Sequence, residues 1–127
     1  MNLSTIKLIE ICRILPPPYP SLGNIVEQAD YVIETWRDGT EWYRLYKSGW
    51  CEQGGRQSVA NDGTLVVTLH KPYIDTNYYV NWISCSGARA DGAGTRAADT
   101  LTTTSFRLYN GQDSTMTANW MACGMTI

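Results

Sequence analysis

The sequence predicts an all-β domain, a small antiparallel β-sandwich of about seven to eight strands, on three observations. From Tyr31 onward, short runs rich in Tyr, Trp, Val, Ile and Thr alternate with Gly, Asn and Asp clusters; the first set suits a pleated, half-buried surface and the second suits turns. Within the runs, apolar residues recur at every second position: Leu65, Val67 and Leu69 share one face, as do Tyr78, Val80 and Trp82. Asp38-Gly39, Ser48-Gly49, Asp62-Gly63 and Asn110-Gly111 each place a residue tolerant of positive φ at a break in the pattern. A chain of 127 residues, 43% hydrophobic and 17% charged, can bury one core but not two, and its composition is far from that of disordered chains.

In chain order, residues 1–30 read as a connector or trimerisation segment and residues 31–127 as the sandwich. Leu8, Ile11 and Leu15 fit a two-turn helical stripe and equally a strand packed on the domain. Pro16-Pro17-Pro18 then stops any helix and favours an extended segment through Pro20. The expected strands are Tyr31–Arg37, Glu41–Lys47, Trp50–Gln53, Leu65–His70, Tyr78–Cys85, Thr102–Tyr109 and Met116–Cys123. Asp38-Gly39 between two aromatic runs is the clearest hairpin. Asn81-Trp82-x-x-Cys85 and Asn119-Trp120-x-x-Cys123 echo one another, which predicts two strands of the same parity, each with its indole on one face and its cysteine on the other.

The charge balance narrows the function. A net charge of −2 and a pI near 5.2 remove the electrostatic basis for nucleic-acid binding, which rests on displacing phosphate counterions. The apolar stretch Leu3–Leu15 contains Lys7, Glu10 and Arg13; it is too short and too charged to cross a bilayer and lacks the layout of a secretory signal. No membrane insertion is expected. The four cysteines, Cys12, Cys51, Cys85 and Cys123, stand singly with no Cys-x-x-Cys. Buried or half-buried thiols are therefore expected in preference to disulfides or a metal site.

Catalytic signals are weak. The single histidine, His70, precedes Lys71-Pro72 at a strand end with no nucleophile elbow nearby, so it reads as a solvated strand-end residue. Glu34, Glu41 and Glu52 are the least implausible carboxylates for glycoside hydrolysis, but exposed strand glutamates are the commoner case. Asp91-Gly-Ala-Gly94 lacks the Lys-Ser/Thr of a phosphate loop. No enzyme, cofactor or metal is expected.

The densest pattern runs from Trp36 to Gly55. As geometry it predicts a three-strand meander in which Trp42, Arg44 and Tyr46 share one face and Tyr43, Leu45 and Lys47 the other, with Arg and Lys stems laid over the rings. The segment Trp42-Tyr-Arg-Leu-Tyr-Lys-Ser-Gly-Trp-Cys-Glu-Gln-Gly-Gly55 resembles the C-terminal tip domain of bacteriophage and prophage tail fibres. The resemblance continues through Leu65-Val-Val-Thr-Leu69, Asp75-Thr-Asn-Tyr-Tyr-Val80, the Thr-rich strand before Phe106 and Trp120-Met-Ala-Cys-Gly124, covering about residues 29–127. It implies a β-sandwich at the distal end of a trimeric fibre that recognises a bacterial surface polysaccharide or outer-membrane protein without catalysis. It also implies a virion location after synthesis in the host cytoplasm, and the rest of a fibre N-terminal to this chain. Whole fibres carry a long shaft and an attachment domain that 127 residues cannot hold, so a fragment or an unusually short fibre is expected. The alternatives are a structural trimerisation cap and, less favoured, a polysaccharide depolymerase.

Trp36, Trp42, Tyr43, Tyr46, Trp50, Glu52, Gln53, Gly54, Gly55, Trp82 and Trp120 are accordingly assigned to the scaffold. Receptor contact is placed on the irregular stretch Ser86–Asp99, through Arg89, Asp91, Arg96 and Asp99, helped by Asn110, Gln112 and Asp113 of the following turn. The tyrosines Tyr73, Tyr78 and Tyr79 are the second choice, expected to be exposed.

Overall fold

A computed structural model describes residues 29–85 and 96–127. The described chain is all β: β1 (Val32–Asp38), β2 (Glu41–Tyr46), β3 (Trp50–Val59), β4 (Gly63–Thr68), β5 (Tyr79–Ser84), β6 (Arg96–Asp99), β7 (Ser105–Asn110) and β8 (Met116–Met125). They form a five-stranded sheet in the order β1-β2-β3-β8-β5 and a three-stranded sheet in the order β4-β7-β6. Every pairing is antiparallel. The connector expected over residues 1–30 lies outside the described residues for all but its end.

The expected strands match in position, with three differences. β3 runs six residues past Gln53, through Gly54 and Gly55 to Val59. Glycines usually weaken a strand, but here ten consecutive residues of β3 pair with β8, from Trp50↔Met125 to Val59↔Met116. A short strand, Arg96–Asp99, emerges from the stretch read as irregular and joins the edge of the smaller sheet through β7. The Thr-rich segment enters its strand only at Ser105, because Thr102 folds back to accept the backbone N–H groups of Thr104 and Ser105 at 3.2 and 3.0 Å. Gly39 (φ +57°), Gly49 (φ +90°) and Asp62 (φ +47°) take the left-handed conformations expected at their turns.

The core lies between the sheets. Phe106, Leu108 and Val67 of the smaller sheet meet Val59, Met116, Ala118, Trp120 and Ala122 of the larger one, all buried. Phe106 meets Trp120 edge-on at 5.3 Å between centroids. The repeated Asn-Trp-x-x-Cys motif has a simple geometric outcome: Trp82 and Trp120 are directly opposed on β5 and β8. Asn110, at the end of β7, is fully buried; its Nδ2 donates to the carbonyls of Val59, Ala60 and Ser114 at 2.9 to 3.1 Å.

Candidate functional site

The Trp42–Gly55 segment is held by contacts that explain its residue types. The carboxamide of buried Gln53 bridges to the β4–β5 connection: Oε1 accepts the backbone N–H groups of His70 (2.7 Å) and Lys71 (3.1 Å), and Nε2 donates to Lys71 O (2.8 Å). Gly54 and Gly55 are small for the same steric reason on opposite faces. A Cβ on Gly54 would stand 2.9 Å from Trp42 Nε1 and 2.7 Å from Trp120 O, whereas one on Gly55 would overlap the Glu41 carboxylate. That carboxylate accepts from the Arg56 backbone N–H (3.1 Å) and from Gln57 Nε2 (3.2 Å), and its other oxygen lies 3.0 Å from His70 Nε2.

His70 is therefore not a solvated strand-end residue. It is half-buried, with its ring 5.0 Å from Trp36 and 6.1 Å from Trp120. Beside it, Glu34 accepts from the Tyr43 hydroxyl and from Lys71 Nζ at 3.2 Å. The Tyr43 hydroxyl, and then Lys71, hold the Glu34 carboxyl below its ordinary range. Each glutamate singled out for hydrolysis has a structural partner: Glu34 and Glu41 as described, and Glu52 the Tyr46 hydroxyl at 3.5 Å.

The opposite, outer face of the five-stranded sheet carries a depression of about 690 Å³, within the range of ligand sites. Strand alternation and register set its contents. Arg37 pairs with Trp42, Trp42 with Gly54, Thr35 with Arg44, Arg44 with Glu52, and Arg56 with Asn119, so these side chains share one face. With no side chain at Gly54, the Trp42 indole lies against the β3 backbone and is half-buried, with part of its surface left open to the depression. Arg37, Arg44 and Arg56 are exposed around it. Arg56 Nε donates to Asn119 Oδ1 at 2.8 Å and Arg37 Nε to Gly39 O at 3.1 Å. Among the described residues, no carboxylate lies within 4.0 Å of these three guanidiniums, whereas Lys71 and Arg107 are ion-paired with Glu34 and Asp99. An aromatic plate bordered by planar donors can stack on an apolar ring face and hydrogen-bond the groups around it.

The expected receptor residues fare differently. Tyr73 and Tyr78, expected to be exposed, are buried and stacked on one another at 4.5 Å; their hydroxyls donate to Cys51 O and Ser105 O. Gln112 and Asn110 are buried as well. The physical reason is shared: the strand ends and joining segments close over both ends of the core, Tyr73 and Tyr78 at the Cys51 and Ser105 end and Asn110 and Gln112 at the Val59 end. Asp99 accepts a two-point contact from Arg107, at 2.7 and 2.9 Å. Tyr79 and Asp113 are exposed as expected. Arg96 opens β6, and Arg89 and Asp91 lie outside the described residues. Of the motif aromatics, Trp42, Tyr43, Tyr46 and Trp50 are half-buried and Trp36 is exposed; Trp82 is half-buried and Trp120 buried. Arg37 and Arg44, expected to lay their stems over rings, instead stand exposed around the depression. The alternation of Trp42 with Arg44, facing a glycine on the next strand, is the signal that points to a plate.

No protein-family model matches the sequence, and no curated protein matches it. Solved structures do. An N-truncated R2-type pyocin tail fibre superposes with a TM-score of 0.58 at 18% identity, over 76% of this chain and 37% of that one. The C-terminal part of the P. aeruginosa R2 pyocin fibre gives the same score and identity over 26% of its length. An N-truncated R1-type pyocin tail fibre gives 0.53 at 10% identity, over 84% of this chain and 98% of that one. The fold is that of pyocin tail fibres. This chain spans 37% and 26% of the two R2 fibre chains it matches.

Proposed function

We propose that this chain is the receptor-binding tip domain of a phage or phage-like tail fibre. In this reading it sits at the distal end of the fibre, acts as a homotrimer and binds a bacterial surface polysaccharide or outer-membrane protein without catalysing a reaction. The observation that carries the reading is the tail-fibre fold over 76% of the chain. The Trp42 depression supports it, because a rigid sheet face with an open indole and free donors is suited to recognition, and three copies on one tip would add avidity. Among the described residues its lining contains one carboxylate, Glu52, where a hydrolase would need a pair.

The test is adsorption of the labelled full-length chain to a panel of whole bacteria, scored by saturable, competable binding. Binding to a subset of strains supports the reading. Adsorption to none makes the chain a structural trimerisation cap, and shortening of the surface polymer makes it a depolymerase.

A further inference from the structure

The Trp42 depression has an unusual balance of hydrogen-bonding groups. A guanidinium offers five N–H donors and no acceptor. Of the donors on Arg37, Arg44 and Arg56, one on Arg56 is used on Asn119 and one on Arg37 on a backbone carbonyl. Asn119 Oδ1 keeps one lone pair, and the Glu52 carboxylate and the Thr35 and Thr40 hydroxyls are the other side-chain acceptors among the described lining residues, so free guanidinium N–H groups outnumber acceptors. Neutral sugar hydroxyls both donate and accept, so a site for them needs acceptors in proportion. A donor-rich rim matches groups that only accept.

Charge points the same way. The chain carries −2 overall, yet three arginines without carboxylate partners among the described residues converge on this one hollow. Unpaired guanidiniums gathered in a concavity raise the local concentration of anions. The Trp42 indole beside them supplies a flat apolar surface of the size of a pyranose ring. The two anchored guanidiniums are pre-oriented, which lowers the ordering cost of binding.

Resting on the receptor-binding reading above, we infer that the Trp42 depression binds an acidic glycan: a sugar ring stacked on Trp42, with its carboxylate or phosphate held by Arg37, Arg44 and Arg56. Specificity then comes from the position of the negative charge relative to the ring, and weak affinity per site is offset by the number of sites on the polymer.

The test uses the full chain and three probes: hexagalacturonate, its carboxyl-reduced neutral counterpart and an oligodeoxythymidylate of similar length. Titration should show binding of the acidic hexamer, at least about tenfold weaker binding of the reduced one, and a loss of affinity between low and physiological salt. Arg44→Ala, at an exposed position, should keep the parent melting temperature while weakening the acidic hexamer about tenfold; Arg44→Lys should recover part of that loss. Equal binding of the two hexamers, or an Arg44→Ala variant that binds like the parent, overturns the inference. Tighter binding of the oligodeoxythymidylate overturns it in favour of single-stranded nucleic acid. Adsorption to whole bacteria separates this inference from the reading beneath it. A chain that adsorbs as strongly after Arg37→Ala/Arg44→Ala keeps its receptor role and loses this site, whereas a chain that neither adsorbs nor binds any glycan loses both.

Discussion

Gly54 and Trp42 act as one unit. The indole can lie along β3 only because position 54 has no side chain, and the backbone oxygen of Trp120 closes off the remaining space. Backbone cannot yield as a flexible side chain can, so Gly54→Ala is expected to lower stability by about 1 to 3 kcal/mol and to lift the indole from its seat. A melting temperature equal to the parent, with unchanged Trp fluorescence, would contradict the packing described. Trp120 is the most buried indole, 3% exposed, and lies between Phe106 and His70. Trp120→Ala should cost about 3 to 5 kcal/mol, measurable by urea unfolding, whereas Trp50→Ala, at a half-buried position, should cost clearly less. Thiol reactivity belongs at this scale too. Burial raises the Cys51 thiol to about 11, while Cys85 is exposed. Native-state labelling at neutral pH should therefore modify Cys85 well before Cys51, whose thiolate fraction is small and whose access is closed.

At the scale of elements, polar contacts tie the edges of the sheets to their neighbours. Glu34 on β1 meets Tyr43 on β2 and Lys71 after β4, and Asp99 on β6 meets Arg107 on β7. The hydrogen bond from Tyr43 holds the Glu34 carboxyl, and that from Arg107 the Asp99 carboxyl, below the ordinary carboxylate range. A depressed folded-state pKa gives stability that is present above the unfolded value and lost as pH falls through the folded one. The melting temperature should accordingly decline below about pH 4.5, and the double variant Glu34→Gln/Asp99→Asn should start lower and decline less steeply. Solvent screening keeps each pair's share modest, so an acid profile identical in parent and variant would assign the decline to other groups. The opposite limb has the opposite sign. Burial raises the Cys51, Tyr73 and Tyr78 values, so their contribution is full below the unfolded values and is lost as pH rises past about 9.

At the scale of the molecule, β1 is exposed along its whole length, and it carries Val32, Ile33 and Trp36 beside Tyr31 at what is, among the described residues, the edge of the five-stranded sheet. An unprotected, apolar strand edge is a template for pairing with another chain. The homotrimer proposed above would have an evident use for it. Light scattering of the full chain is expected to give about three times 14.2 kDa, and Ile33→Lys on the edge should shift that mass toward the monomer without lowering its melting temperature by more than a few degrees. A monomer at high micromolar concentration would refute the trimer.

The strand periodicities and turn residues settled the fold class, because alternation in Leu65–Leu69 and Tyr78–Trp82 and the glycines after Asp38 and Ser48 are local instructions that need no partner to be read. The scaffold role of Gln53 and Gly55 was legible as a motif, but not its cause, which is a carboxamide reaching a loop 17 residues away and a carboxylate arriving from β2. Exposure of the polar and aromatic candidates was not legible at all. Tyr73, Tyr78, Asn110 and Gln112 look like loop residues in the chain and are buried in the fold, because burial depends on which segments close over the core. The site depended on tertiary structure for the same reason. Arg37, Arg44 and Arg56 stand up to 19 positions apart and are ordinary strand arginines until the β1-β2-β3 register sets them around one indole. Local sequence determines which face a side chain takes on its own strand; only the pairing of strands decides what stands next to it.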